Sequence, residues 1–121
     1  MDDRVIELKP LQAGSARSGG RTVLNPKTSI TYQNREEMEA MLKEFIDREK
    51  TEVILDCKAV AFMDSEALEF LLRAHEDLKS LGGTLKIVCL NPVCSDILLA
   101  TRMSNVLNIY ENVHDAVRSR I

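Results

Sequence analysis

The residues of this chain best placed to do chemistry are Asp64 and Ser65, with Glu66 and Glu69 directly behind them. An apolar run, Val53-Ile54-Leu55, comes before them and an amphipathic pattern follows. The pair therefore falls where a loop turns into a helix. A helix start carries partial positive charge and unpaired N–H groups, which suits an anion. A serine there has two uses. It caps the helix, worth about 1 kcal/mol, or it accepts a covalently attached anion that the helix start then stabilises.

Other chemistries lack their parts. A Ser-His-Asp arrangement would combine Ser65 with His75 or His114, but Ser65 has no G-x-S-x-G elbow to expose it. His75 falls about ten residues along the same helix, roughly 15 Å from its start, and reads as a half-exposed surface group. A phospho-accepting Asp56 would need an acidic pair after the first strand to hold Mg²⁺, and residues 9–22 contain no acid. Gly19-Gly20 and Gly82-Gly83 fit neither phosphate-cradling glycine pattern. The three cysteines, Cys57, Cys89 and Cys94, show no C-x-x-C spacing. His75 and His114 have no ligand-spaced neighbours, so no metal and no cofactor are expected. Free thiols suit a reducing, cytoplasmic setting.

Composition narrows the class further. The 121 residues fit one domain, which at this size buries roughly two thirds of its unfolded surface. A hydrophobic share of 45% with no Trp, two Tyr and three Phe calls for an aliphatic core. A net charge of −3 with scattered basic residues argues against direct nucleic-acid binding. No apolar run approaches the roughly 20 residues of a membrane span. Met1-Asp2-Asp3-Arg4 does not resemble a signal peptide.

The positioning elements follow from periodicity. Residues 5–8 and 21–24 read as two strands of an N-terminal hairpin, joined by a mobile loop at 10–20 rich in Gly, Ser and Ala. Asn34 and Glu37 have capping-box spacing. The helix behind them carries Met38, Met41, Leu42, Phe45 and Ile46 on one face and ends near Glu49. Val53-Ile54-Leu55 reads as a strand buried on both faces. The second helix places Leu68, Leu71, Leu72, Leu78 and Leu81 on one side and stops at Gly82-Gly83. Residues 85–90 form the next strand. Asn91-Pro92 starts a helix that runs to about Arg102. A short strand at 107–110 and a helix from 113 to about 120, with Val113, Ala116 and Val117 facing in, complete the order. Strands alternating with helices predict an α/β domain with a mostly parallel sheet.

With these elements in place the chain resembles a STAS domain, the family of bacterial anti-sigma factor antagonists. The resemblance rests on Val53-Ile54-Leu55-Asp56, Val60-Ala61-Phe62-Met63-Asp64-Ser65, Leu81-Gly82-Gly83, Leu85-Lys86-Ile87-Val88 and Asn91-Pro92. It covers about residues 30–121. It implies a single STAS-like domain over 1–121, with 1–29 as the N-terminal hairpin. The sheet would be mixed, with four to five strands flanked by about four helices. It implies no catalysis. The domain would bind an anti-sigma factor that is itself a serine kinase and so release a sigma factor. Phosphorylation of Ser65 would end binding, and a metal-dependent serine phosphatase would restore it. The free form would be a monomer. The alternative is a non-switching STAS module, a scaffold or a subunit of a membrane transport or sensory complex.

The chain departs from the family pattern beside the acceptor. The family continues D-S-[ST]-G, whereas here Asp64-Ser65 is followed by Glu66-Ala67. The family's G-x-L-D turn before the first helix is replaced by Thr28-Ser29-Ile30-Thr31. The partner surface expected from the resemblance comprises Asp64, Ser65, Glu66, Ala67, Glu69 and Thr31. Three acids at one helix start imply a dedicated partner with a basic complement to Glu66.

Overall fold

The computed structural model describes residues 4–6, 13–18, 21–45 and 52–119, with side chains described over 21–44 and 52–119. Along the chain run β1 (Arg4–Ile6), β2 (Ala13–Ser18), β3 (Arg21–Pro26), α1 (Arg35–Phe45), β4 (Glu52–Asp56), α2 (Ser65–Ser80), β5 (Thr84–Val88), α3 (Pro92–Ala100), β6 (Asn108–Tyr110) and α4 (Val113–Arg118). The strands form one six-stranded sheet in the order β1-β2-β3-β4-β5-β6. β1, β2 and β3 pair antiparallel, and β3 through β6 pair parallel.

The parallel half matches the expected α/β alternation, but the N-terminal part differs. Segment 10–20, expected as a mobile loop, contains β2, which takes β1 on one side and β3 on the other. The two expected hairpin strands are therefore not neighbours, and the sheet gains a strand over the four to five expected. Ala, Gly and Ser give β2 no apolar alternation, so its pairing rests on backbone hydrogen bonds that leave no trace in hydropathy. The expected end of α1, from Ile46 to Glu49, lies outside the described residues.

Parallel strands need crossovers, which α1, α2 and α3 supply on one face, while α4 follows the last strand and covers the other. On one face α1, α2 and α3 cover the main core. Met38, Met41 and Leu42 of α1 and Cys94 and Leu98 of α3 flank Ala67, Phe70, Leu71, Ala74 and Leu78 of α2, above Leu24, Val53, Leu55, Leu85 and Ile87 of the strands. The buried stripe of α2 is rotated from expectation: Ala67, Phe70 and Ala74 face in, while Leu81 is exposed. Burying each large aliphatic side chain is worth about 1.5–3 kcal/mol. α2 ends as its glycines predict. Gly83 N–H donates to Leu78 O at 2.8 Å and Gly82 N–H to Lys79 O at 3.0 Å, with Gly82 at φ 76°.

α4 covers the opposite face, its Ala116 against Ile54 and Val88, with Val23, Tyr110 and Val113 packed around them. Strand alternation sends Lys86 to this face, where its side chain is fully buried. Its Nζ lies 2.6 Å from Glu52 Oε1 and donates to Ala116 O at 2.8 Å and Ser119 O at 3.1 Å. The ring of Tyr110 lies beneath it, 5.7 Å to the centroid. Arg21 pairs with the same Glu52. One ammonium thus binds the sheet to the carbonyls that end α4, where a cation is favoured. Val117, expected to face in, is exposed at 36%.

Two tests follow from this ion pair. Lys86→Ala leaves the carbonyls of Ala116 and Ser119 without their donor and Glu52 with Arg21 alone. It should lower unfolding stability in urea by about 1–3 kcal/mol. Burial opposes ionisation of Glu52, but the hydrogen bonds from Lys86 and Arg21 outweigh it and hold the carboxyl below its ordinary value of 4.5. A depressed folded pKa stabilises above the unfolded value. The urea midpoint should therefore fall as pH drops below about 4.5, and this part of the fall should vanish in Glu52→Gln.

Candidate functional site

The parallel half of the sheet sends the C-terminal ends of β3, β4, β5 and β6 to one edge, where the loops leading into α1, α2, α3 and α4 gather. Loop 57–64, between β4 and α2, is the middle one. Cys57 N–H still donates to Val88 O of β5 at 2.9 Å, and past it two side chains from neighbouring loops take up backbone groups of residues 60–62. Ser29 Oγ accepts from Ala61 N–H at 3.0 Å and Phe62 N–H at 3.2 Å. Asn91 Nδ2 donates to the carbonyls of Val60 at 3.3 Å and Ala61 at 3.0 Å. Asn91 Oδ1 meanwhile caps α3 through Cys94 N–H at 2.7 Å. Val60 and Met63 turn into the core. The loop is thereby fixed from both sides, and so is the residue that leaves it.

Asp64 is the cap of α2. Its extended backbone, φ −95° and ψ −176°, turns the side chain onto Ala67 N–H, an Oδ1 contact of 2.9 Å. Ser65 is the first helical residue and is exposed. Its hydroxyl takes no part in the cap. Between the two uses a serine has at this position, the structure gives the capping role to the preceding aspartate and leaves the Ser65 oxygen facing solvent.

The acids behind Ser65 are not free charges. Arg35, the first residue of α1, reaches across and places Nη1 2.9 Å from Glu66 Oε2 and 3.1 Å from Glu69 Oε2, with Nε 2.6 Å from Glu39 Oε1. Only 12% of the Arg35 side chain is exposed. Arg73 adds a second contact to Glu69 at 3.0 Å. Arg35, first through its hydrogen bond and then through its charge, holds the Glu69 carboxyl below the usual range. The basic complement expected from a partner of Glu66 is therefore present within the chain. Ala67, expected on the partner surface, is fully buried, so its side chain serves the core.

Thr31 lies at the expected turn and organises the entry to α1. Its carbonyl accepts from Arg35 N–H at 2.9 Å and Asn34 N–H at 3.2 Å. The expected Asn34–Glu37 capping box is replaced by backward contacts. Asn34 is buried, accepts from Thr31 N–H at 2.8 Å and donates to Ser29 O at 2.9 Å. This turn holds Ser29 on loop 57–64 and Arg35 on Glu66. The same edge exposes two aromatics that the sequence reading did not single out, Tyr32 at 72% and Phe62 at 48%.

The remaining reactive groups are quiet. Burial pushes the thiols of Cys57 and Cys94 up. Cys89, at φ 62°, is raised by burial and then by Asp56. Thiols held protonated are poor nucleophiles. Among the described residues no three His, Cys, Asp or Glu side chains gather as a metal site. No helix among them is long and apolar enough to cross a membrane.

The fold has counterparts among solved structures. An anti-sigma-factor antagonist (STAS) domain protein from Planctomyces limnophilus superposes with TM-score 0.77 at 19% identity, covering 87% of this chain and 94% of that one. An anti-sigma factor antagonist from Mycobacterium paratuberculosis also gives 0.77, at 18% identity over 95% and 92%. The murine anion transporter Slc26a9 carries a similar segment, TM-score 0.69 at 19% identity, covering 84% of this chain and 18% of the transporter. At such identities the likeness is one of fold. No curated protein matches this sequence. The family model of the STAS domain matches residues 15–116, and the chain belongs to that family.

The division of labour at the helix start has a direct check. Asp64→Ala should cost about 1 kcal/mol in a denaturation midpoint series, while Ser65→Ala should stay within about 0.5 kcal/mol of the parent. The reverse order would return the capping role to Ser65.

Proposed function

We propose that the chain is an anti-sigma factor antagonist that works as a phosphorylation-controlled binding switch and does no catalysis itself. In this reading it acts in the cytoplasm, where it binds a serine-kinase anti-sigma factor through the loop edge around Ser65 and so frees a sigma factor. The kinase moves the γ-phosphoryl group of ATP to Ser65 Oγ, ADP leaves, and the complex separates. A metal-dependent serine phosphatase hydrolyses the ester and restores binding.

The observation that carries the reading is the exposed Ser65 hydroxyl beside an aspartate that already does the capping. A hydroxyl released from structural duty is open to a kinase. Phosphorylation would add about −1.5 to −2 charges where the helix start favours them within the domain. A docked protein surface loses the fit. A hundredfold loss of affinity needs only about 2.7 kcal/mol. Tyr32 and Phe62, exposed on the same loop edge, supply the apolar part of the contact, with Thr31 beside Tyr32 in sequence. Glu66 and Glu69 contribute through their pairing with Arg35, as a fixed ionic rim.

A second reading, a non-switching module of a membrane transport or sensory complex, draws on the fold shared with the Slc26a9 segment. The exposed serine favours the switch.

Incubation with the kinase-type anti-sigma factor of the same genome and ATP, followed by mass spectrometry, separates the two. The switch requires a gain of one phosphate that is lost in Ser65→Ala. It also requires Ser65→Asp to bind the kinase at least about tenfold more weakly than the parent. A chain that forms no complex with any such kinase and gains no mass would favour the scaffold.

A further inference from the structure

Helix α3 has a second apolar face that its own domain does not use. Only Cys94 and Leu98 of its nine residues are buried. On the outward side, Pro92, Val93, Asp96, Leu99 and Ala100 are all exposed. Their spacing, i, i+1, i+4, i+7 and i+8, is that of a helix face built for packing. Four of the five are apolar, with Val93 exposed at 53% and Leu99 at 68%. Asp96 is the one charge on the helix, and Arg102 follows just past its end, exposed and at φ 62°. Among the described residues neither Asp96 nor Arg102 has an ion-pair partner.

We propose that this face of α3 is a self-association surface, on which a second copy of the chain docks antiparallel about a two-fold axis at Leu99. The charge pattern supplies the argument. Asp96 and Arg102 lie three residues before and three residues after Leu99. A two-fold axis there sets Asp96 of each copy against Arg102 of its mate, twice, and brings the two Leu99 side chains together. An axis at Asp96 would instead oppose two like charges. The sequence is thus self-complementary about one residue, as an isologous contact requires. Exposed ion pairs add little affinity but disfavour wrong registers. The apolar residues provide the attraction. One helix face per copy places the contact in the small class, below about 1,200 Å² in total, so the dimer is weak and forms on concentration. It differs from the monomer that the family resemblance implies, and it stands independently of the proposed phosphorylation of Ser65.

Sedimentation of the full chain over concentrations up to about 1 mM tests this. The parent mass should climb from 13.6 kDa toward twice that value. Leu99→Asp, Asp96→Arg and Arg102→Asp should each weaken association about tenfold or more, with circular dichroism unchanged. The double swap Asp96→Arg with Arg102→Asp should restore it to near the parent. A mass of 13.6 kDa at every concentration overturns the proposal. So does association that survives Leu99→Asp, or a double swap that fails to recover. Phosphatidylcholine–phosphatidylserine vesicles are a further arm: flotation that depends on Leu99, without self-association, would assign the face to a lipid surface instead.

Discussion

The parallel register of β3, β4, β5 and β6 is the constraint from which the rest of the molecule follows. Parallel neighbours cannot be joined by a tight turn, so each connection must climb back over the sheet. The consequence is an edge at which every strand ends pointing the same way. Ser29, loop 57–64 and Asn91 lie some thirty residues apart in sequence, yet meet there. Past Cys57, which still pairs with β5, the loop at their centre has polar backbone groups that no strand satisfies. Two short side chains do so, and their four bonds run to residues 60–62, just ahead of Met63 and Asp64. Precision at the mouth of α2 is thus inherited from the sheet rather than from the loop itself.

Electrostatics at this mouth is settled internally. Asp64 spends its carboxylate on the helix, and Arg35 gathers Glu39, Glu66 and Glu69 around one guanidinium. The acidic motif that looks repulsive in sequence is, in three dimensions, a tether between α1 and α2. It leaves Ser65 as the one polar side chain at the helix start with no assignment within the fold. A lost glycine at position 67 has a similarly internal meaning. Ala67 packs beneath the first turn, so its methyl group belongs to the interior and not to the approach of another molecule.

The parts legible in the sequence were those whose determinants lie within a few residues. The double-sided burial of β4, the Gly82 stop, the Asn91-Pro92 start and the helix mouth at Asp64-Ser65 all follow from local propensity and period. What escaped depended on partners far along the chain. Arg35 and Glu66 are separated by 31 positions, and no local rule pairs them. Asn34 turned backward to Ser29 and Thr31 because the turn before α1 needed its side chain more than the helix did. β2 escaped because its residues carry no apolar signal. Lys86 escaped because a charge within an apolar run reads as a group reaching for water. The shifted face of α2 has a plainer origin: Leu71 and Leu78 are buried as their spacing predicts, but Ala67, Phe70 and Ala74 share that stripe, and Leu81 stands outside it.

Lys86 also bears on the order in which the chain can be finished. Its ammonium leaves water only if Glu52 and the carbonyls of Ala116 and Ser119 are present to receive it. The first two elements of that arrangement are available once β4 and β5 have been made. The last two are not, because they belong to residues thirty or more positions later in synthesis. A nascent chain emerging from the ribosome can therefore assemble α1, α2 and the main core while its second sheet face is still hydrated. Closure of that face waits for translation to pass α4, which makes the end of the domain the checkpoint for its completion.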